Sequence, residues 1–97
     1  MTLHLINRTP DNRGLFDDVV EAISEGDYLL LIEDGCYAGL AQTRAPLGSL
    51  PRGSVGVLKE DAESRGLLGR LDERLELVDM DGFVTLTERF PKSLSWF

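Results

Sequence analysis

The sequence predicts a small three-layer α/β/α sandwich with a mainly parallel sheet, and two observations carry that expectation. Strand-like and helix-like segments alternate along the chain, and one strand, Tyr-Leu-Leu-Leu-Ile at residues 28–32, is apolar at every position. Apolarity that continues over strand length belongs to a strand covered on both faces. Strand-helix-strand crossovers give parallel neighbours with helices on both sides of the sheet.

The elements follow in order. Residues 3–6 (Leu-His-Leu-Ile) precede the turn chemistry of Thr9, Pro10, Asp11 and Asn12, and are expected as a buried first strand. Over residues 14–24, Phe16, Val19, Val20 and Ile23 recur at i, i+3, i+4 and i+7, with Asp17, Asp18 and Glu21 opposite. That spacing predicts an amphipathic helix, closed by Gly26. Asp27 leads into the apolar strand, which Glu33-Asp34-Gly35 ends. Residues 36–42 are small and apolar enough for a short helix, and the Pro- and Gly-rich residues 44–53 are expected as a loop, the segment most inclined to move.

Residues 54–58 predict a third strand and 59–65 a short helix stopped by Gly66, after which Leu67 and Leu68 return to the core. Residues 75–78 predict a fourth strand. Asp79 and Asp81 are candidate N-caps for a helix whose Phe83, Leu86, Thr87 and Phe90 share a face, and Pro91 ends it. There is no internal repeat and no low-complexity segment.

A length of 97 residues suits one domain, residues 1–97, that buries roughly 60–65% of the surface of its unfolded chain. Ten basic against seventeen acidic side chains leave a charge of −7, which opposes direct binding to a phosphate backbone and suits solubility or a basic partner. The first residues carry no basic segment followed by a long apolar one, and no apolar run reaches bilayer length, so the expected location is the cytoplasm. One cysteine and one histidine exclude an internal disulfide and a zinc site of the usual spacing, so no cofactor or metal is expected.

Few residues carry candidate chemistry. Cys36 is the candidate catalytic residue, because it follows the carboxyl end of a strand, where open α/β sheets place their sites and where a helix start lowers a thiol pKa. Against this role, Glu33 and Asp34 precede it, and their charge opposes thiolate formation. His4 stands alone in an apolar strand, with no Ser or Cys near it to suggest a triad, and reads as a hydrogen-bonded structural residue. Glu60, Asp61 and Glu63 with Lys59 and Arg65 read as a solvated helical face with an Asp61–Arg65 pair. The glycines form no phosphate-binding pattern. Trp96 and Phe97 place two large aromatics at a terminus, where they are expected to be buried in the chain's own core or against a partner, making them the candidate partner interface.

An ordered series of motifs carries a family resemblance over nearly the whole chain. It runs from residues 3–10 (Leu-His-Leu-Ile-Asn-Arg-Thr-Pro) through Glu25-Gly26-Asp27 to residues 29–35, with Tyr37 and Ala38 following. Val57-Leu58-Lys59-Glu60-Asp61, Arg65-Gly66-Leu67, Val78-Asp79, Gly82-Phe83-Val84, Leu86-Thr87 and Trp96 complete it. In this set the chain resembles the TusB/DsrH family of the DsrE/DsrF/DsrH-like superfamily, subunits of sulfur-relay complexes.

The resemblance implies a parallel α/β sandwich and a heterohexamer with TusC-like and TusD-like subunits. In such complexes persulfide sulfur arrives from a TusA-like carrier and leaves through a TusE-like one toward the 2-thiouridine of the tRNA wobble position. The equivalent Dsr complex serves sulfur oxidation, and the partners distinguish the two. The resemblance places the principal active cysteine on the TusD or DsrE type of subunit. Some DsrH-type members carry a cysteine in the first helix, where this chain has Val19. Cys36 thus inherits no family role. The alternatives to a non-catalytic subunit are a DsrH-type sulfur-oxidation subunit, a sulfurtransferase using Cys36 as persulfide carrier, and an interaction domain without sulfur chemistry.

Overall fold

The computed structural model describes residues 1–42 and 47–97. Its elements are β1 (Thr2–Ile6), α1 (Arg13–Ala22), β2 (Tyr28–Leu31), a 3-10 helix (Glu33–Gly39), β3 (Val55–Leu58), α2 (Lys59–Ser64), a 3-10 turn (Leu68–Arg70), β4 (Glu76–Val78), α3 (Met80–Arg89) and β5 (Lys92–Trp96). The five described strands form one sheet in the order β4-β3-β2-β1-β5, with every neighbouring pair parallel.

Topology places the layers. The chain steps in one direction from β1 to β4, then returns across three strands to β5 on the far side of β1. Right-handed crossovers taken in opposite directions put their helices on opposite faces. Accordingly α1, α2 and the longer 3-10 helix cover one face, where Phe16, Val19, Cys36 and Ala62 pack on Ile6, Leu29, Leu31 and Val57. On the other face α3 lays Leu86, with Phe90 just beyond its end, against Leu3, Tyr28, Leu30 and Leu58. Leu29, Leu30 and Leu31 are fully buried, as a strand between two helical layers requires.

Several local expectations are corrected. The first helix ends at Ala22, and Gly26, at φ 90°, belongs to the turn that follows, where Asp27 N–H donates to the Ser24 carbonyl at 3.0 Å. A positive φ at the third turn position is the conformation that favours glycine there. The helix expected from Cys36 is a 3-10 helix that begins three residues earlier, at Glu33. Leu67 is buried, but Leu68 is 37% exposed and does not return to the core. Of the two candidate caps, Asp79 serves: its Oδ1 accepts from Gly82 N–H at 2.8 Å. Residues 44–46, the start of the expected loop, lie outside the described residues, and Leu47 beyond them enters the core.

β5 is a strand that the sequence reading did not include. Residues 92–96 pair with β1 from Thr2↔Lys92 to Ile6↔Trp96, and Phe97 lies beyond the strand. The alternation Ser-Leu-Ser-Trp has the period of a strand, and four of the five residues are exposed because this is a sheet edge.

Candidate functional site

Cys36 lies just past the carboxyl end of β2, inside the 3-10 helix rather than at its start. The segment can leave β2 so sharply because residue 35 is glycine: a Cβ there would stand 2.2 Å from the Ile6 carbonyl oxygen. Glu33 turns the chain with φ 48°, a left-handed conformation that costs a non-glycine residue roughly 1–2 kcal/mol. Two contacts from α2 hold this turn. Asp61 Oδ2 accepts from Glu33 N–H at 2.7 Å, and Arg65 Nε donates to Asp34 Oδ1 at 3.1 Å.

The Asp61–Arg65 pairing expected from spacing therefore takes another form. Arg65 meets Asp34 and, through a second nitrogen, the Asp61 backbone carbonyl at 3.2 Å, while the Asp61 carboxylate turns to the Glu33 amide. Glu60 is also engaged, accepting from Met80 N–H at 3.1 Å at the start of α3.

Pinned beneath these contacts, Cys36 has no solvent exposure, and its thiol donates a long bond to the Leu31 carbonyl at 3.7 Å. Burial pushes the thiol pKa up to about 12, the Asp61 and Asp34 charges push the same way, and Arg65 opposes them. A thiol in this state offers almost no thiolate at neutral pH, and the thiolate is the nucleophile.

A connected cluster of polar groups lies elsewhere. His4, 3% exposed in mid-β1, places Nε2 3.0 Å from Asp27 Oδ2, while its Nδ1 lies 3.1 Å from the indole Nε1 of Trp96. An indole N–H only donates, so Nδ1 is the acceptor and the imidazole proton sits on Nε2, directed at Asp27. The two ring planes are tilted by 27°, with centroids 6.2 Å apart. Asp27 is capped further by the backbone N–H groups of Thr2 at 2.8 Å and Ser24 at 3.1 Å. Burial pushes its carboxyl pKa up, but the His4 hydrogen bond and those two amides outweigh it and hold the group at about 2.

His4 is thus hydrogen-bonded, as its sequence context suggested, with Asp27 and Trp96 as partners that no local pattern revealed. Trp96 packs its ring against the core on the α1 face, and Phe97 beyond it is 60% exposed. Trp96 meets His4 and through it Asp27, while Cys36 feels the charges of Asp61, Arg65 and Asp34. The Asn7 side-chain oxygen at the end of β1 is buried without a hydrogen-bond partner. Among the described residues no group of three His, Cys, Asp or Glu side chains is placed to hold a metal, and no helix is long and apolar enough to cross a membrane.

A parallel sheet of this order, closed by an edge strand tied to β1 and carrying a buried cysteine at the end of β2, defines a small α/β protein. A model of the DsrH like protein family matches residues 8–93. Proteins called Protein TusB are similar over 97% of this chain and 99% of their own length: 36% identical in Escherichia coli K12, 34% in Erwinia tasmaniensis and 33% in Serratia proteamaculans. The chain belongs to the DsrH-like family.

Proposed function

We propose that this chain is a non-catalytic subunit of a cytoplasmic sulfur-relay complex that supports persulfide transfer for 2-thiolation of the tRNA wobble uridine. The observation that carries the reading is the state of Cys36: fully buried, with its thiol raised to about 12, it is unsuited to receive or donate sulfur. The similarity to the TusB proteins, end to end, supports the same assignment.

The partners are TusC-like and TusD-like subunits in a heterohexamer, with TusA-like and TusE-like carriers delivering and removing sulfur through the complex. The surface suited to a partner is the β5 edge, where Leu94 is 45% and Phe97 60% exposed and the outer side of the strand pairs with no described strand. The chain's net charge of −7 suits an association with protein rather than directly with tRNA.

Co-expression of the tagged chain with the two related small chains of the same genome tests the reading. A stoichiometric complex that still thiolates tRNA with Cys36→Ser is expected. A chain that purifies alone from cells that thiolate their tRNA would overturn it.

A further inference from the structure

We propose that His4 is a positioning residue: held in its Nε2–H tautomer by Asp27, it docks Trp96 and so keeps β5 in the arrangement a partner subunit meets, and a proton on Nδ1 undoes the docking. The partner half of this inference rests on the subunit reading above; the latch is a property of the chain alone.

The geometry leaves little alternative. Neutral His4 has one donor and one acceptor, and both are used, the donor on Asp27 and the acceptor on Trp96. A proton taken from solvent at Nδ1 converts the acceptor into a donor and sets two N–H groups against each other at 3.1 Å. The Asp27 bond survives and strengthens as an ion pair, so the indole is the partner that must leave.

No other described charge compensates at that point. On the same face Lys92 is exposed in register with Thr2, α1 presents Phe16 and Val19 inward, and Asp17, Asp18 and Glu21 are exposed to solvent. Among the described residues Asp27 is the carboxylate that hydrogen-bonds the ring. With the indole released, β5 keeps only its ladder to β1, and the exposed Leu94 and Phe97 lose their fixed placement.

The full chain provides its own probe, since Trp96 is the only tryptophan. Its emission and the hydrogen-exchange protection of the β5 amides are followed from about pH 8 to about pH 5, beside NMR titration of the His4 ring. The expected result is a change in emission and a loss of β5 protection on the order of tenfold, both tracking His4, while β2 and β3 stay protected.

His4→Gln is the decisive variant, because its amide oxygen can accept from the indole and its amide nitrogen can donate to Asp27 without titrating. It is expected to hold β5 at every pH in that range. Constant emission and protection through the His4 titration would overturn the latch, as would an undiminished transition in His4→Gln.

Assembly with the two related subunits is then compared at the two ends of the range. Wild type is expected to lose assembly on acidification while His4→Gln retains it; equal losses would overturn the partner half. Wild type that never assembles would overturn the subunit reading and that half together, while emission and exchange still decide the latch.

Discussion

The indole N–H of Trp96 donates to Nδ1 of His4 at 3.1 Å, across 92 positions of sequence, and thereby fixes which imidazole nitrogen keeps the proton. Nitrogen NMR at neutral pH is expected to find the Nε2–H tautomer. Trp96→Phe leaves the buried Nδ1 without a donor, which costs about 1–3 kcal/mol of folding stability. Chemical denaturation measures this loss, and an unchanged midpoint would contradict the assigned bond.

Asp27 makes the fold sensitive to acid. Its carboxyl is lowered from 3.8 to about 2 in the folded chain, so the native state binds this proton less readily than the unfolded state does. The stabilisation is complete above the unfolded value and is lost as pH falls from about 4 through about 2. It amounts to about 2 kcal/mol. Asp27→Asn is expected to lower stability near neutrality and to flatten the acid limb of the stability profile. Parallel profiles for the two proteins would contradict the shift.

Cys36 is expected to resist thiol reagents at neutral pH and to react at a rate set by opening of the fold. Burial and the Asp61 and Asp34 charges oppose the thiolate more than Arg65 favours it, and the thiol is packed in the core with a long hydrogen bond to the Leu31 carbonyl. Mild denaturant should accelerate labelling strongly, and the double loss of the Asp61 and Arg65 contacts should do the same without denaturant. Labelling as fast as that of an exposed model thiol would contradict the burial.

Two glycines are expected to lose stability when given a side chain, for different reasons. At Gly35 a Cβ meets backbone, the Ile6 carbonyl oxygen at 2.2 Å, so Gly35→Ala must displace β1 or the 3-10 helix. At Gly56 it meets the Tyr28 hydroxyl at 2.3 Å, and Gly56→Ala breaks the Tyr28–Glu76 bond of 2.6 Å. Thermal unfolding is expected to show about 3 kcal/mol lost at Gly35, where backbone must give, and less at Gly56, where a side chain can swing aside. The reverse order would contradict these contacts.

The sheet was legible because Tyr28 to Ile32 is apolar on both faces and the helix between it and β1 has clean periodicity. Gly66 was equally legible as a stop: its N–H reaches the Glu63 carbonyl at 3.0 Å and Leu67 N–H reaches Ala62 at 2.9 Å, the paired bonds of a Schellman end. β5 was not legible because only two apolar residues, Leu94 and Trp96, alternate with serines there, too short a pattern to mark a strand.

Cys36 was placed correctly at a strand end, but sequence gave no sign that Asp61 and Arg65 would cross from α2 and seal its segment. The His4, Asp27 and Trp96 cluster was illegible for the same reason. Its members come from three separate strands or their approaches, and only the parallel register of β1 with β2 and β5 assembles them.

On the function proposed above, this chain supports sulfur transfer without carrying sulfur. The most direct measurement is 2-thiouridine in tRNA from cells whose only copy of this gene encodes Cys36→Ser, compared with cells that lack the gene. Thiolation at the wild-type level with Cys36→Ser, and its loss with the deletion, is the expected result. Loss of thiolation with Cys36→Ser, while the variant still assembles with its partner subunits, would contradict it.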